Sequence, residues 1–204
     1  NTDGIDVPSQ VSYPSASDER EKLEDHLVKV GAATFIVLNF AVRAVIAIIE
    51  IIGAIQYANI YDITSKSDQI TKASLFFGEI GAIGLLTFGG TVWWQGRFKT
   101  SDVRMLLVSY IITTVGAVVL VIWEDSAPMF YLSMILVWSI GMPIIQLVIM
   151  SAFSKIIGGR PAGKYMGYIT AAGSFARIVA ALYSGYLSLT FSFVGILVLM
   201  AGSF

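Results

Sequence analysis

The chain has 204 residues, of which 56% are hydrophobic and only 13% charged, with a formal net charge of −1. Soluble domains average about 25% charged and about 45–50% apolar residues, so this composition belongs to an integral membrane protein. The near-neutral charge argues against nucleic acid as a partner, and the lack of cysteine excludes disulfides and thiol chemistry.

Residues 1–30 read as a polar cytoplasmic lead. Pro8 and Pro14 precede SDEREKLEDHLVK, where Asp18, Glu19, Glu21, Glu24 and Asp25 outnumber the cations. The expectation is a linker ending in a short solvated helix. The lead holds the sole histidine, His26, and lacks the apolar core of a signal peptide. With Asn-Thr-Asp at its start and no initiator methionine, the chain reads as part of a longer protein.

Residues 31–204 form the transmembrane domain. Apolar runs fall at 32–59, 73–95, 104–123, 128–154, 164–187 and 189–204, against a requirement of about 20 residues for a spanning helix. The last run, ending at Phe204, is short for a span. The fold class expected is all-α and integral to the membrane, a six-transmembrane-helix bundle whose short loops make neighbours antiparallel.

The first run carries Arg43 and Glu50, seven positions apart on one helix face and about 10 Å apart along the axis. The second carries Glu79 and a spacing of small residues, Gly78, Ala82 and Gly89, that reads as a helix-packing stripe. Arg97, Lys99 and Arg104 then face a single acid, Asp102, while the next loop holds Glu124 and Asp125. Ser126 followed by Pro128 is a helix start. The fourth run contains Gly141, Pro143 and Gln146, and a proline at that depth predicts a kink. Lys155, Arg160 and Lys164 follow with no acid among them. In the fifth run Gly163, Gly167, Ala171, Ser174, Ile178, Ala181 and Gly185 recur every three or four residues as a stripe of mostly small residues, and Arg177 is carried into its middle. Under the positive-inside rule the two basic loops face the cytoplasm, and six spans return both ends there.

Placing Arg or an acid at the centre of a spanning helix costs about 2.5–3.5 kcal/mol. Such groups face a bundle interior or a water path. Arg43 and Arg177 lie about 18 Å from their cytoplasmic ends, too deep for snorkelling. Two readings stand side by side for Arg43, Glu50 and Arg177: a polar substrate or ion pathway, or ion pairs that staple helices. Glu79, nearer its interface, fits the structural role better, and Gln146 fits an interhelical hydrogen bond. Trp93, Trp94, Trp123 and Trp138 are expected at interfaces or facing lipid. With no histidine at membrane depth, no metal-ligand cluster and no phosphate loop, an enzyme is not expected, nor a metal or other cofactor.

The segment FSKIIGGRPAGKYMGYITAAGSFARI carries a more specific signal. Phe153, Ser154, Lys155, Arg160, Pro161, Gly163, Tyr165, Met166, Gly167, Tyr168, Gly173, Ser174, Ala176 and Arg177 resemble the tenth-to-eleventh helix connection of a major facilitator superfamily branch. That branch holds the ceroid-lipofuscinosis-associated lysosomal and SPX-linked transporters. Gly159 stands where a proline is common, and Ala180-Ala181 replaces a frequent Gly-Pro. In GGTVWWQGRFKTSDVR, Trp94 occupies the place of the carboxylate in the superfamily's loop motif. The resemblance implies the C-terminal half of a twelve-helix major facilitator fold, partnered by an N-terminal six-helix half and the lipid bilayer. It also implies an endolysosomal membrane and alternating-access transport of a small solute, with Arg177 contacting an anionic substrate or a carboxylate partner and Glu50 as the proton or cation partner if transport is coupled. An anion-conducting pore and a non-transporting membrane scaffold are the alternatives.

Overall fold

The computed structural model describes residues 16–123, 125–158, 160–186 and 189–202. Residues 1–15, Glu124 of the acidic loop, Gly159, and the last residues of the 164–187 and 189–204 runs lie outside them. Among the described residues every regular element is helical: α1 (Ala16–Ile60), α2 (Lys66–Phe98), α3 (Asp102–Ile122), α4 (Ala127–Met134), a π-helical segment (Ile135–Gly141), α5 (Met142–Ile157), α6 (Ala162–Tyr186) and α7 (Leu189–Gly202).

Among the described residues four helices are long and apolar enough to cross a membrane: Glu24–Ile60, Lys66–Phe98, Asp102–Ile122 and the continuous rod Ala127–Ile157. The chain is therefore an integral membrane protein. Six such crossings were expected. The α6 helix is diluted by Arg177 and by its glycines, serines and tyrosines, and α7 has 14 residues. At the other end, the acidic stretch expected as a separate short helix is the start of α1, which runs on from Ala16. No proline or glycine stands between Ala16 and Gly31 to stop it.

The core lies between α1 and the α4–α5 rod. Val42, Val45, Ile48, Ile49 and Ile52 of α1 are buried with Phe130, Met134, Met142, Ile145 and Phe153. The α1 helix packs against α6, α5 and α7, while α3 backs the rod and α7 from the other side. The α2 helix leans on the π segment and barely meets α3.

Pro143 explains the π segment. It has no N–H to give the carbonyl four residues back, and its ring would strike that carbonyl. Widening the preceding turns absorbs both problems, and the Met142 N–H bonds to the Val137 carbonyl five residues back. Neighbours grip the widened stretch closely. Ser139 Oγ donates to the Ile80 carbonyl of α2 at 2.6 Å. A Cβ at Gly116 of α3 would stand 2.7 Å from Val137 Cγ2 and 2.9 Å from Leu136 Cβ, and one at Gly141 would overlap Thr113 Oγ1. The expected kink at Pro143 thus takes the form of a π-helical widening held between α2 and α3.

The small-residue stripes expected to pack helices within this bundle do not do so. Gly163, Gly167, Ala171, Ser174, Ala181 and Gly185 of α6 are exposed, as are Gly78, Ala82 and Gly89 of α2. The buried face of α6 is instead Ile169, Gly173, Ala176, Ala180 and Ser184, and that of α2 is Ala73, Phe76, Ile80, Gly84 and Thr91. Spacing identified a face able to admit a close neighbour but could not say which neighbour.

Gly116→Ala should cost about 1–3 kcal/mol through overpacking against the π segment. Gly96→Ala, where an added Cβ meets nothing within 4 Å, should be neutral or stabilising. Unfolding of the two variants in detergent checks the contrast.

Candidate functional site

Arg43 and Glu50 share a face of α1, and both line a cavity of about 270 Å³. Gly81, Gly84 and Phe88 of α2 form the second wall, and Trp138, Met142, Pro143 and Gln146 form the third. Four residues singled out by sequence (Arg43, Glu50, Pro143 and Gln146) are therefore brought to one space. The π segment sits in its wall, so the local widening that Pro143 demands also shapes the cavity.

Arg177 does not line that cavity but reaches its edge from α6. Its Nη2 donates to Glu50 Oε2 at 2.8 Å. The guanidinium side chain is 54% exposed and the glutamate 36%. By helical register Arg177 stands between the buried face of α6 and its uncovered small-residue stripe. A half-uncovered ion pair at mid-span must meet water or further protein, since lipid would not solvate it.

Arg43 forms no ion pair or hydrogen bond among the described residues. Its stem passes Gly173 of α6, where an added Cβ would stand 3.2 Å from Arg43 Cγ and 3.0 Å from Asn39 Nδ2. A larger residue at 173 would displace both side chains. One turn before Arg43, buried Asn39 donates from Nδ2 to the Ile169 carbonyl at 2.9 Å. That bond fixes the rotation of α6 on α1, and with it the reach of Arg177 toward Glu50. The Asn39 Oδ1 is buried without a hydrogen-bond partner among the described residues.

Glu79 lies outside the cavity and is exposed; its Oε2 accepts from the Tyr131 hydroxyl at a long 3.4 Å. Asn39 and Trp138 are the residues that the sequence reading missed. Asn39 was legible in principle, as a polar residue four positions from Arg43 in the same span. Trp138, expected at an interface or facing lipid, is instead part-buried in the cavity wall against Phe77, with ring centroids 6.1 Å apart.

Two of the three cations around the turn after α5, locally without acids, are paired in space. Lys155 Nζ lies 2.6 Å from Asp102 of α3, and Arg160 Nη1 lies 2.8 Å from Asp25 of α1, which also holds Lys29 at 2.6 Å. Gly158 adopts φ 57° to end α5, a conformation that favours glycine. Pro161 precedes α6 directly, and Gly163 and Gly167 have open space around them. These residues build one end of the bundle and do not reach the cavity.

Over 53 residues, 26% of this chain, the sequence is 42% identical to part of major facilitator superfamily domain-containing protein 8 of Xenopus laevis. The match covers 10% of that relative's length. No family description matches the chain, and no solved structure matches it. The chain is thus a helical membrane protein with a partial similarity to a major facilitator protein, consistent with a membrane transporter.

In a double-mutant cycle, Arg177→Met and Glu50→Gln should couple by about 1 kcal/mol, the scale of a partly solvated interhelical pair. Unfolding in detergent measures it; strictly additive effects would show that the bond adds nothing to stability.

Proposed function

We propose that this chain is one six-helix half of a secondary transporter of the major facilitator type, moving a small anionic solute by alternating access and catalysing no reaction. The observation that carries this reading is Arg43. Among the described residues it is an unpaired cation, on a cavity wall at mid-span, with Glu50 and Gln146 on the same cavity and Arg177 at its edge. A staple would satisfy every charge, whereas this site leaves one available.

The uncovered stripes of α2 and α6 support a second six-helix half as partner. Small residues admit close helix approach, and a half packed there would cover the exposed side of the Arg177–Glu50 pair. The cavity would then lie between two halves near the midplane, where alternating-access sites are found. Arg43 would take the anion. Glu50, held by Arg177, would be the proton or cation partner if transport is coupled, and the π segment at Pro143 would supply a deformable wall. Gln146 would offer a hydrogen bond, and Glu79 would stay outside the path. An endolysosomal membrane is part of the proposal and is supported only by the resemblance of the Phe153–Arg177 stretch.

The bond between Arg177 and Glu50 favours a second reading, a non-transporting scaffold stapled by that pair. Flux of chloride, phosphate and a short dicarboxylate into proteoliposomes carrying the full-length protein separates the readings. Arg43→Gln should lower flux of the accepted anion tenfold or more, as loss of a charge-assisted contact of about 1.5–3 kcal/mol would. Saturable flux lost in Arg43→Gln supports the transporter. Non-saturating current would indicate an anion pore, and no flux of any anion would leave the scaffold.

A further inference from the structure

A second and larger concavity, about 580 Å³, lies away from the proposed solute site, between α2 and α3. It exists because these consecutive helices barely meet, leaving Ile144 of α5 as its floor. Thr87, Gly90, Thr91 and Trp94 line it from α2, and Met105 and Val108 from α3. The α2 lining residues sit nearly opposite the stripe of Gly78, Ala82 and Gly89 by helical register, so a partner half on that stripe would leave the concavity open. The α3 wall continues outward as Leu107, Val108, Ile111 and Val115, all exposed. Those side chains suit lipid and nothing polar.

The ends of the groove differ in chemistry. Its deep part is apolar, while its mouth carries Arg104 and Thr100. Arg97 and Lys99 stand on the same turn. The one acid there, Asp102, is held by Lys155 at 2.6 Å, so it does not neutralise Arg104. From Phe98 to Thr87 the groove descends about 16 Å at 1.5 Å per residue, close to half of a hydrocarbon core about 30 Å thick. A cationic mouth at the headgroup level with an apolar channel one leaflet deep matches the two parts of one molecule.

We propose that the α2–α3 groove is a binding site for an anionic glycerophospholipid of the cytoplasmic leaflet, its phosphate at Arg104 and an acyl chain along Gly90, Val108 and Ile144. The cytoplasmic leaflet is the anionic one, and the positive-inside rule places this loop there. Trp94, with its ring beside the channel, is an interfacial anchor for the lipid as well as a reporter.

Trp94 makes the test direct. The full-length protein is placed in nanodiscs containing either brominated phosphatidylserine or brominated phosphatidylcholine, and tryptophan quenching is followed against mole fraction. The serine lipid should reach half-maximal quenching at about five-fold lower mole fraction, the factor expected of one guanidinium engaged at the lipid surface. Arg104→Gln should abolish that preference. Gly90→Leu, which has open space at its Cβ, should fill the channel and reduce quenching by both lipids. Trp94→Phe should remove the preferential component. Equal quenching by the two lipids would mean ordinary annular contact and overturn the proposal. A preference that survives Arg104→Gln or Trp94→Phe would place the lipid elsewhere, and a Trp94 shielded from both lipids would mean that another protein segment fills the groove. Each outcome is independent of whether the solute site transports.

Discussion

The cost of keeping ionised groups within an apolar span constrains more of this structure than any other single factor. Arg43, Glu50 and Arg177 cannot be left against lipid, and the helices around them are arranged accordingly. The α1 helix sits centrally, so its charged face borders a cavity walled by α2, the π segment and α5. The α6 helix is brought close enough for Arg177 to reach Glu50. That approach depends on Gly173, which leaves room for the stems of Arg43 and Asn39, and on the Asn39 amide, which holds the Ile169 carbonyl. Small residues and one buried amide thus place the charges, whose pairing then satisfies two of the three.

The same logic gives Pro143 two consequences. A proline in a spanning helix leaves a carbonyl without its usual donor, and lipid offers no replacement. The π segment restores bonding within the chain, and Ser139 adds a bond to α2. Because the widened turns are gripped by Gly116 and Thr113 of α3 on one side and by Ile80 on the other, the irregular backbone is buried in protein and borders a cavity. It is the arrangement that the membrane tolerates, and it fixes the shape of the site.

Much of this was legible from sequence, and for physical reasons. Run length and apolarity locate spans because the bilayer fixes how long a helix must be, so α2, α3 and the Ala127–Ile157 rod were visible. Charges at mid-span stood out because they are costly there. What sequence could not give was pairing. Lys155 and Arg160 looked unopposed, since their acids come from α3 and α1, 53 residues away in the case of Asp102. The stripes on α2 and α6 have the right spacing for packing, yet Ile169, Gly173 and Ala176 won the contact with α1. A 3.6-residue period shows which residues share a face and is silent on which face meets which helix. Trp138 failed for the same reason: an aromatic within a span reads as an anchor until its neighbours are known.

The two ends of the bundle are closed by different forces. At the basic end, Asp102–Lys155 joins the start of α3 to the end of α5, and Asp25–Arg160 joins α1 to the turn before α6. Such pairs are exposed, individually worth about 0–1 kcal/mol, and weakened by salt. At the opposite end Tyr57, Phe76, Phe130 and Tyr131 form an aromatic cluster, with ring centroids 4.7 Å apart for Tyr57–Phe76 and 5.8 Å for Phe76–Phe130. Aromatic pairs add about 0.5–1.5 kcal/mol beyond their buried area and are insensitive to salt. The cavity with Arg43 lies between a polar clasp that loosens as ionic strength rises and an apolar one that does not, so the two closures respond to different conditions.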